Sequence, residues 1–519
     1  GKLAPVAIER LSAEPDVEVD YAPDLPMEEI LKRIADVHCI ITRSETPVGP
    51  EQIDAAPNLK VIARAAVGIA NIDVPYATEK GILVMNTPGK NTNSAAELAF
   101  GLLLAAIRKV PLAHETMRGG GWDRHRFTGT ELKDKTIGVI GLGNVGHRMA
   151  RFARGFDMRV LAYDPYISDE IFDRHRVEKS DMETLLRESD VVSLHTPKNK
   201  ETTGMIGAAE IAKMKPGVVI VNAARGGIVD EDALLNALES GHVAAAGIDT
   251  WSVEPMQENR FAQFEQVVMS PHIGASTLEA QQRIGETIAE EVPKALRGGI
   301  VESPVNMPQI RMLEGNLMTA YTVLVEKLGS FAAQYMDFTP EKLRITYRGD
   351  IAQHDCTLLR LAFLKGHLGH AHEFVSYVNA EQRAAQVGLT VEDLEDPGFT
   401  DYESGVKFTL CGEGKEFVIG GVVFSGPHPR ITLVDGFTYE EAPEGRFLVI
   451  RCRGRFGIVS AIAQTLDAEN IMIRNFSFSY NREQKRNMFM IRVGKDVPGE
   501  VMERLREHDD ITFVRNIEL

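Results

Sequence analysis

One short stretch constrains this chain more than any other: Gly141-Leu142-Gly143-Asn144-Val145-Gly146, set between two segments of opposite periodicity. Thr136 to Ile140 before it is a compact, β-branched run, the pattern of a buried strand, while Val145, Met149, Phe152 and Phe156 recur at helical spacing. A strand that turns into a helix through three such glycines has few solutions. Gly141 permits the tight turn, Gly143 lets the backbone approach a pyrophosphate, and Gly146 lets the helix close on the strand. The helix N-terminus adds amide donors and the positive end of its dipole, so Asn144 and Val145 present backbone to an anion. Asp164 ends the next strand, Val160 to Tyr163, where an acidic group meets an adenine ribose. A carboxylate there accepts from the ribose hydroxyls and repels a 2′-phosphate, which favours NAD over NADP.

The alternation extends in both directions. Helical segments Pro5–Leu11 and Met27–Val37 and strands Val17–Tyr21, Cys39–Thr42, Leu59–Ala63 and Ile82–Met85 precede a long helix, which Ser94-Ala95-Ala96-Glu97 is expected to open as a capping box. Strands at 136–140, 160–163, 191–194, 218–221, 244–248 and 267–269 give the six-strand count of a dinucleotide-binding fold. From about Val301 the texture changes. Pro304 and Pro308 mark a linker, a mixed region runs to about Asp435, and Glu441–Gly445 marks a further boundary. The last segment reads strand, helix, strand, strand, helix, strand, the order of a ferredoxin-like module.

At 519 residues the chain exceeds what one core supports, which predicts three or four domains. The net charge of -17 argues against a general nucleic-acid binder. It leaves room for a small anionic substrate in a locally basic pocket. Cys39, Cys356, Cys411 and Cys452 are scattered without metal-ligand spacing, so no metal is expected and the setting is read as reduced and cytoplasmic. The longest apolar stretch, Ala95–Ile107, is too short to span a bilayer.

Three segments fall at strand ends, where ligands bind in open α/β sheets: Asn222–Gly226, Ser252–Pro255 and Ser270–Gly274. Arg225 offers a guanidinium able to grip a carboxylate, His272 an imidazole able to move a proton, and Glu254 a carboxylate able to orient that imidazole. Taken singly, each also fits a bland role as a helix-entry charge, a loop histidine or a turn acid. Together, Asn222–Asp230 (NAARGGIVD), Glu254-Pro255, Pro271–Thr277 (PHIGAST) and His195-Thr196-Pro197 resemble the signature blocks of the D-2-hydroxy-acid dehydrogenases. That resemblance implies that Arg225 binds the substrate carboxylate, that His272 is the acid/base and that Glu254 is its partner. It implies that Thr196, Pro197, Ala223, Ala224, Arg225, Asp249, His272 and Gly274 line the NAD site beside the glycine loop. It also implies a flavodoxin-like substrate domain that is discontinuous, 1–89 with 275–302, whose first strand is expected to be missing, around an NAD-binding Rossmann domain at 90–274.

Arg43 and Arg64 each end a strand, and Arg124 follows Trp122-Asp123. Alone, each fits a surface charge equally well. At matching positions of the family pattern they resemble the cluster that holds a substrate phosphate, together with Arg225 and His272 at the reacting end. Ala66 and Ala70 depart from the usual Gly and Asp of that stretch and bear on the exact substrate. Val375–Ala380 (VSYVNA) and His428–Gly436 (HPRITLVDG) resemble the intervening domain of the long phosphoglycerate dehydrogenases, placed at 303–440 as an α+β unit. The terminal module, 445–519, resembles their ACT domain. The resemblance implies oxidation of a 3-phospho-D-glycerate with NAD and a homo-oligomer, a tetramer or dimer, with no nucleic-acid or membrane partner. The alternatives are another 2-hydroxy-acid dehydrogenase, such as a glyoxylate or hydroxypyruvate reductase, and an NAD-sensing protein without activity. Within the ACT-like module, Gly454-Arg455-Phe456-Gly457 and Ile471-Met472-Ile473 stand where the family has an Asp-containing turn and an Asn. Serine as an effector is therefore doubtful: inhibition is expected to be weak or absent unless Asn470 or Asn475 replaces the lost amide.

Overall fold

Short apolar runs separated by amphipathic helices leave each strand needing cover on both faces, and the described residues form four sheets. A computed structural model describes residues 1–308, 317–396, 404–424, 428–453 and 457–519. The first sheet is parallel: β1 (Cys39–Thr42), β2 (Val61–Arg64) and β3 (Leu83–Met85), in that order. The second holds β4 (Thr136–Ile140), β5 (Arg159–Tyr163), β6 (Glu178–Lys179), β7 (Val191–Leu194), β8 (Val218–Asn222), β9 (Val243–Ile248) and β10 (Val267–Met269). Its order is β10-β9-β8-β7-β4-β5-β6, with every pair parallel. Successive strands are added to one side from β4 and to the other from β7, so the strand order reverses there. Such a reversal opens a crevice beyond the strands' C-terminal ends, the site of ligand binding in sheets of this kind.

The third sheet comprises β11 (Lys342–Gly349), β12 (Thr390–Asp396), β13 (Ser404–Gly412), β14 (Lys415–Phe424), β15 (His428–Val434) and β16 (Phe437–Glu441), antiparallel except where β12 meets β11. The fourth, β17 (Arg446–Arg453), β18 (Ile473–Asn481), β19 (Arg486–Val493) and β20 (Ile511–Glu518), has the order β18-β19-β17-β20 with two helices between its strands. That is the expected βαββαβ ferredoxin-like plan. Residues 454–456, three of the four turn positions at issue, lie outside the described residues.

The chain forms two compact units. The first is Gly1–Asp24, Ala65–Val67 and Thr87–Pro293; the second is Leu25–Arg64, Gly68–Asn86 and Lys294–Leu519. In the first, Ile137, Val139, Met149 and Ala153 pack the glycine-loop helix onto its sheet, and the helix Thr92–Ile107 buries Ala99, Leu103 and Ala106 in the same core. In the second, the helices Leu317–Tyr335 and Thr357–Leu368 pack with the third sheet through Leu324, Leu328, Phe363 and Phe408.

Several local expectations are corrected. Val17–Tyr21 is not a strand, because among the described residues no strand pairs with it and an unpaired apolar run gains no ladder. The helix expected over 27–37 stops at Arg33. Ser94 does not cap its helix: the helix starts at Thr92 after Asn91, and the Ser94 hydroxyl instead meets Thr277 Oγ1 at 2.7 Å. The dinucleotide-type sheet carries a seventh strand, the two-residue β6, too short to show a periodicity.

Candidate active site

The glycine loop behaves as its sequence requires. Gly141 has φ 88°, and a Cβ there would come within 2.9 Å of the His195 backbone. A Cβ on Gly146 would stand 1.9 Å from Gly141 O, so the helix approaches its strand as closely as only glycine allows. Gly143 has nothing within 4 Å of that position, leaving its face open to a ligand. Asp164 sits at the mouth of this loop. Its Oδ2 accepts from Leu142 N at 2.9 Å and its Oδ1 from Tyr166 N at 3.1 Å. A carboxylate has about four acceptor directions, so ribose hydroxyls still find partners there. Across the crevice Thr196 Oγ1 is buried without a hydrogen-bond partner. A buried hydroxyl left so is costly, and a polar group of a bound cofactor would relieve it. The residues present thus fit NAD.

The proton-handling pair stands at the ends of neighbouring strands. His272 Nδ1 lies 2.7 Å from Glu254 Oε2, and Glu254 Oε1 accepts from Trp251 N at 2.9 Å. Nε2 of His272 is therefore the nitrogen left for chemistry. His272 has φ 54°, a left-handed conformation that L-residues rarely adopt. Asp249 holds it there. Fully buried, Asp249 takes Ser270 Oγ at 2.6 Å and Ile273 N at 2.8 Å on one oxygen and Gly274 N at 2.9 Å on the other, while its carbonyl accepts from His272 N at 2.9 Å. The Glu254 hydrogen bond raises the His272 pKa against the opposing effect of burial. Burial pushes the Glu254 carboxyl up, but its bonds to His272 and to Trp251 N outweigh this and leave it below the usual range.

Arg225 follows Asn222, Ala223 and Ala224 at the end of β8. Asn222 fixes that turn by donating to Arg225 O at 3.0 Å and accepting from Ala224 N at 3.2 Å. Burial lowers the Arg225 pKa, with the Glu254 charge opposing. A guanidinium partly withdrawn from water binds an anion more strongly than an exposed one. Arg225, Glu254 and His272 are thus brought into electrostatic reach of one another, as their sequence pattern implies.

The NAD-binding-domain model of the D-isomer specific 2-hydroxyacid dehydrogenases matches residues 100–274, and the D-3-phosphoglycerate dehydrogenase intervening-domain model matches 317–435. Over 97% of this chain and 96% of the relative, the sequence is 36% identical to a D-3-phosphoglycerate dehydrogenase of Archaeoglobus fulgidus. A D-3-phosphoglycerate dehydrogenase of Bacillus subtilis is 31% identical over 98% and 97% of the two chains. The chain belongs to the D-3-phosphoglycerate dehydrogenase family. Among solved structures, the TT0316 protein of Thermus thermophilus is 34% identical with a TM-score of 0.53, covering 59% of this chain and 97% of its own. A glyoxylate reductase from Paecilomyes thermophila is 33% identical with a TM-score of 0.53, covering 59% and 95%.

The family's dinucleotide domain is an NAD domain, and NAD is the cofactor here. The arginines singled out for a phosphate are divided between the units. Arg43 and Arg64, at the ends of β1 and β2, lie together in the second. Arg64 is 4% exposed; its Nε donates to Gly68 O at 2.8 Å and its Nη2 to Ser44 Oγ at 3.0 Å, while Nη1 is buried without a partner. Burial, and then the nearby Arg43 charge, lower its pKa to about 10. The Glu45 charge opposes both effects. Arg124 belongs to the first unit, where it is exposed. Sequence reasoning missed the part played by Ser270, Trp251 and Asn222. Each is an ordinary residue whose part consists of one or two hydrogen bonds at the turns. It also placed Asp249 only as a lining of the NAD site, whereas its contacts show that it organises the 270–274 turn.

Proposed function

We propose that this chain oxidises 3-phospho-D-glycerate to 3-phosphohydroxypyruvate with NAD, the entry step of phosphorylated serine biosynthesis. The observation that carries this reading is the intervening-domain match at 317–435, joined to near-full-length likeness to D-3-phosphoglycerate dehydrogenases. The catalytic portion alone would not decide it, since a glyoxylate reductase shares that portion. NAD, when bound, accepts the hydride from C2. Arg225 pairs with the substrate carboxylate and orients C2. Neutral His272 takes the 2-hydroxyl proton at Nε2, and Glu254 stabilises the imidazolium that forms. Arg43, Arg64 and Arg124 are assigned to the phosphate. Gly141, Gly143–Gly146, Asp164, Thr196, Pro197, Ala223, Ala224, Asp249 and Gly274 are assigned to the NAD site.

The same reading includes the division 1–89 with 275–302, 90–274, 303–440 and 445–519, a homo-oligomer and a cytoplasmic setting. Among the described residues no helix is long and apolar enough to cross a membrane. Weak or absent serine inhibition belongs to it as well. Asn475 Nδ2 is already held by Glu441 Oε1 at 2.6 Å, and Met472 is 69% exposed. The deciding experiment measures NAD reduction with 3-phosphoglycerate beside unphosphorylated glycerate. A strong preference for the phosphorylated acid is expected; equal rates on the two acids would replace this assignment.

A further inference from the structure

A cavity of about 870 Å³ lies within the second unit, and none of the residues assigned to hydride transfer lines it. Its size suits a small organic ligand. Its walls come from the start of β2, the turn before β3, the segment 294–302, the helix Thr357–Leu368 and the loop 374–378. Two features of this wall are unusual. The first is charge: Lys60, Lys80, Lys294, Arg297 and Lys365 line it against a single carboxylate, Glu302, in a chain whose net charge is -17. Lys80 is paired with Asp54 at 3.0 Å and Lys365 with Glu326 at 2.8 Å, so these two are also anchored in place.

The second feature is Phe374. It has φ 61° and is 58% exposed, so a bulky residue lining the cavity is held in a left-handed conformation rather than packed in a core. Such backbone persists only where its surroundings impose it, and exposed aromatic faces favour apolar or planar ligands. Here the surroundings are specific. A Cβ on Gly81 would stand 2.3 Å from Phe374 O, Ser376 Oγ donates to Gly81 O at 2.7 Å, and Asn379 Nδ2 donates to Phe374 O at 2.9 Å. The VSYVNA segment is thereby fixed as a wall, and Ile300 adds apolar surface beside it.

We propose that this cavity binds an amphipathic organic anion, its phosphate or carboxylate head among the lysines and Arg297 and its apolar or aromatic body against Phe374 and Ile300. Lys60 immediately precedes β2 and Arg64 ends it, so the ligand sits about 13 Å along one strand, at roughly 3.3 Å per residue, from the arginine assigned to the substrate phosphate.

The test uses the full-length protein with saturating NAD, so that the dinucleotide site is closed to the probe. Titrated 8-anilinonaphthalene-1-sulfonate, itself an amphipathic anion, is expected to show one saturable site per chain. Lys60→Gln with Arg297→Gln should weaken it tenfold or more, since both side chains are on the surface and their loss leaves the cores intact. Phe374→Gly, which keeps the left-handed backbone and removes the ring, should weaken it independently. Circular dichroism and NAD affinity check that the variants are folded. A saturable signal that survives both changes lies elsewhere and overturns the site. Displacement by inorganic phosphate at the same concentration as by an amphipathic organic phosphate overturns the ligand class, because a simple anion site needs no apolar wall.

Discussion

In the first unit, buried polar groups gather at strand ends and hold one another only in part. Asn222 and Asp249 organise turns, Thr196 keeps a buried hydroxyl without a partner, and His272 presents Nε2 outward from its bond with Glu254. In the second unit, charged groups close on each other. Arg451 meets Asp435 at 2.7 Å and lies over the Phe513 ring, Arg360 joins Glu381 and Asp393, and Arg492 reaches the buried Glu441. The difference has a topological source. Parallel strands all end on one side, so their following loops converge and leave polar atoms facing a crevice. The pairs of the second unit instead join different elements: Arg451 of β17 and Arg492 of β19 reach Asp435 and Glu441 of the third sheet's last hairpin, and Arg360 and Glu381 both lie on helices. Polar groups of the first kind serve chemistry; those of the second serve cohesion.

Substitutions at four residues test that division, the largest effect first. His272→Asn should retain NAD affinity yet lower turnover by about 100-fold or more, the usual worth of a positioned acid/base. Near-normal turnover, with chemistry shown to limit the rate, would remove His272 from the mechanism. Arg64→Ala should lower kcat/KM for 3-phosphoglycerate by about tenfold to 100-fold, the worth of a charge-assisted contact, and scarcely change it for unphosphorylated glycerate. Equal losses on both substrates would make Arg64 a structural residue, a member of the cohesive class despite its open Nη1.

Asp435→Ala should do the reverse of His272→Asn. It leaves Arg451 half-buried without its counter-ion, costing about 1–3 kcal/mol of stability with turnover unchanged, which calorimetry beside a rate assay would read. A parallel fall in turnover would break the contrast between the regions. The smallest effect is a shift in pH dependence. Oxidation needs neutral His272, so its rate rises as pH climbs through the His272 pKa. Glu254 holds that pKa up, and Glu254→Gln should move the rising limb of the kcat/KM profile toward lower pH. An unmoved limb means that another group titrates.

The legibility of the chain follows the same divide. Gly141 and Gly146 could be read directly because each answers a steric demand that no other residue meets, which the structure shows, while a Cβ on Gly143 would meet open space. Arg225, Glu254 and His272 were legible through their blocks, since each block is a strand end plus its turn. Val17–Tyr21 misled because a strand is a property of pairs, and its composition does not reveal whether a neighbour is present. Ser94 misled for a related reason: its spacing to Glu97 suits a cap, but the hydroxyl of Thr277, 183 residues away, claims it.

By itself the sequence determined the strand–helix alternation, the glycine loop and the chemical types available at each strand end, all set by steric and periodic rules acting over a few residues. Only the tertiary structure decided that Asp249 would hold the His272 turn and that Asn475 would be taken by Glu441. It alone also assembled five cations around one cavity from separate stretches of chain. Those outcomes depend on contacts between residues far apart in sequence, where hydrogen-bond direction and burial select one partner among many that composition permits.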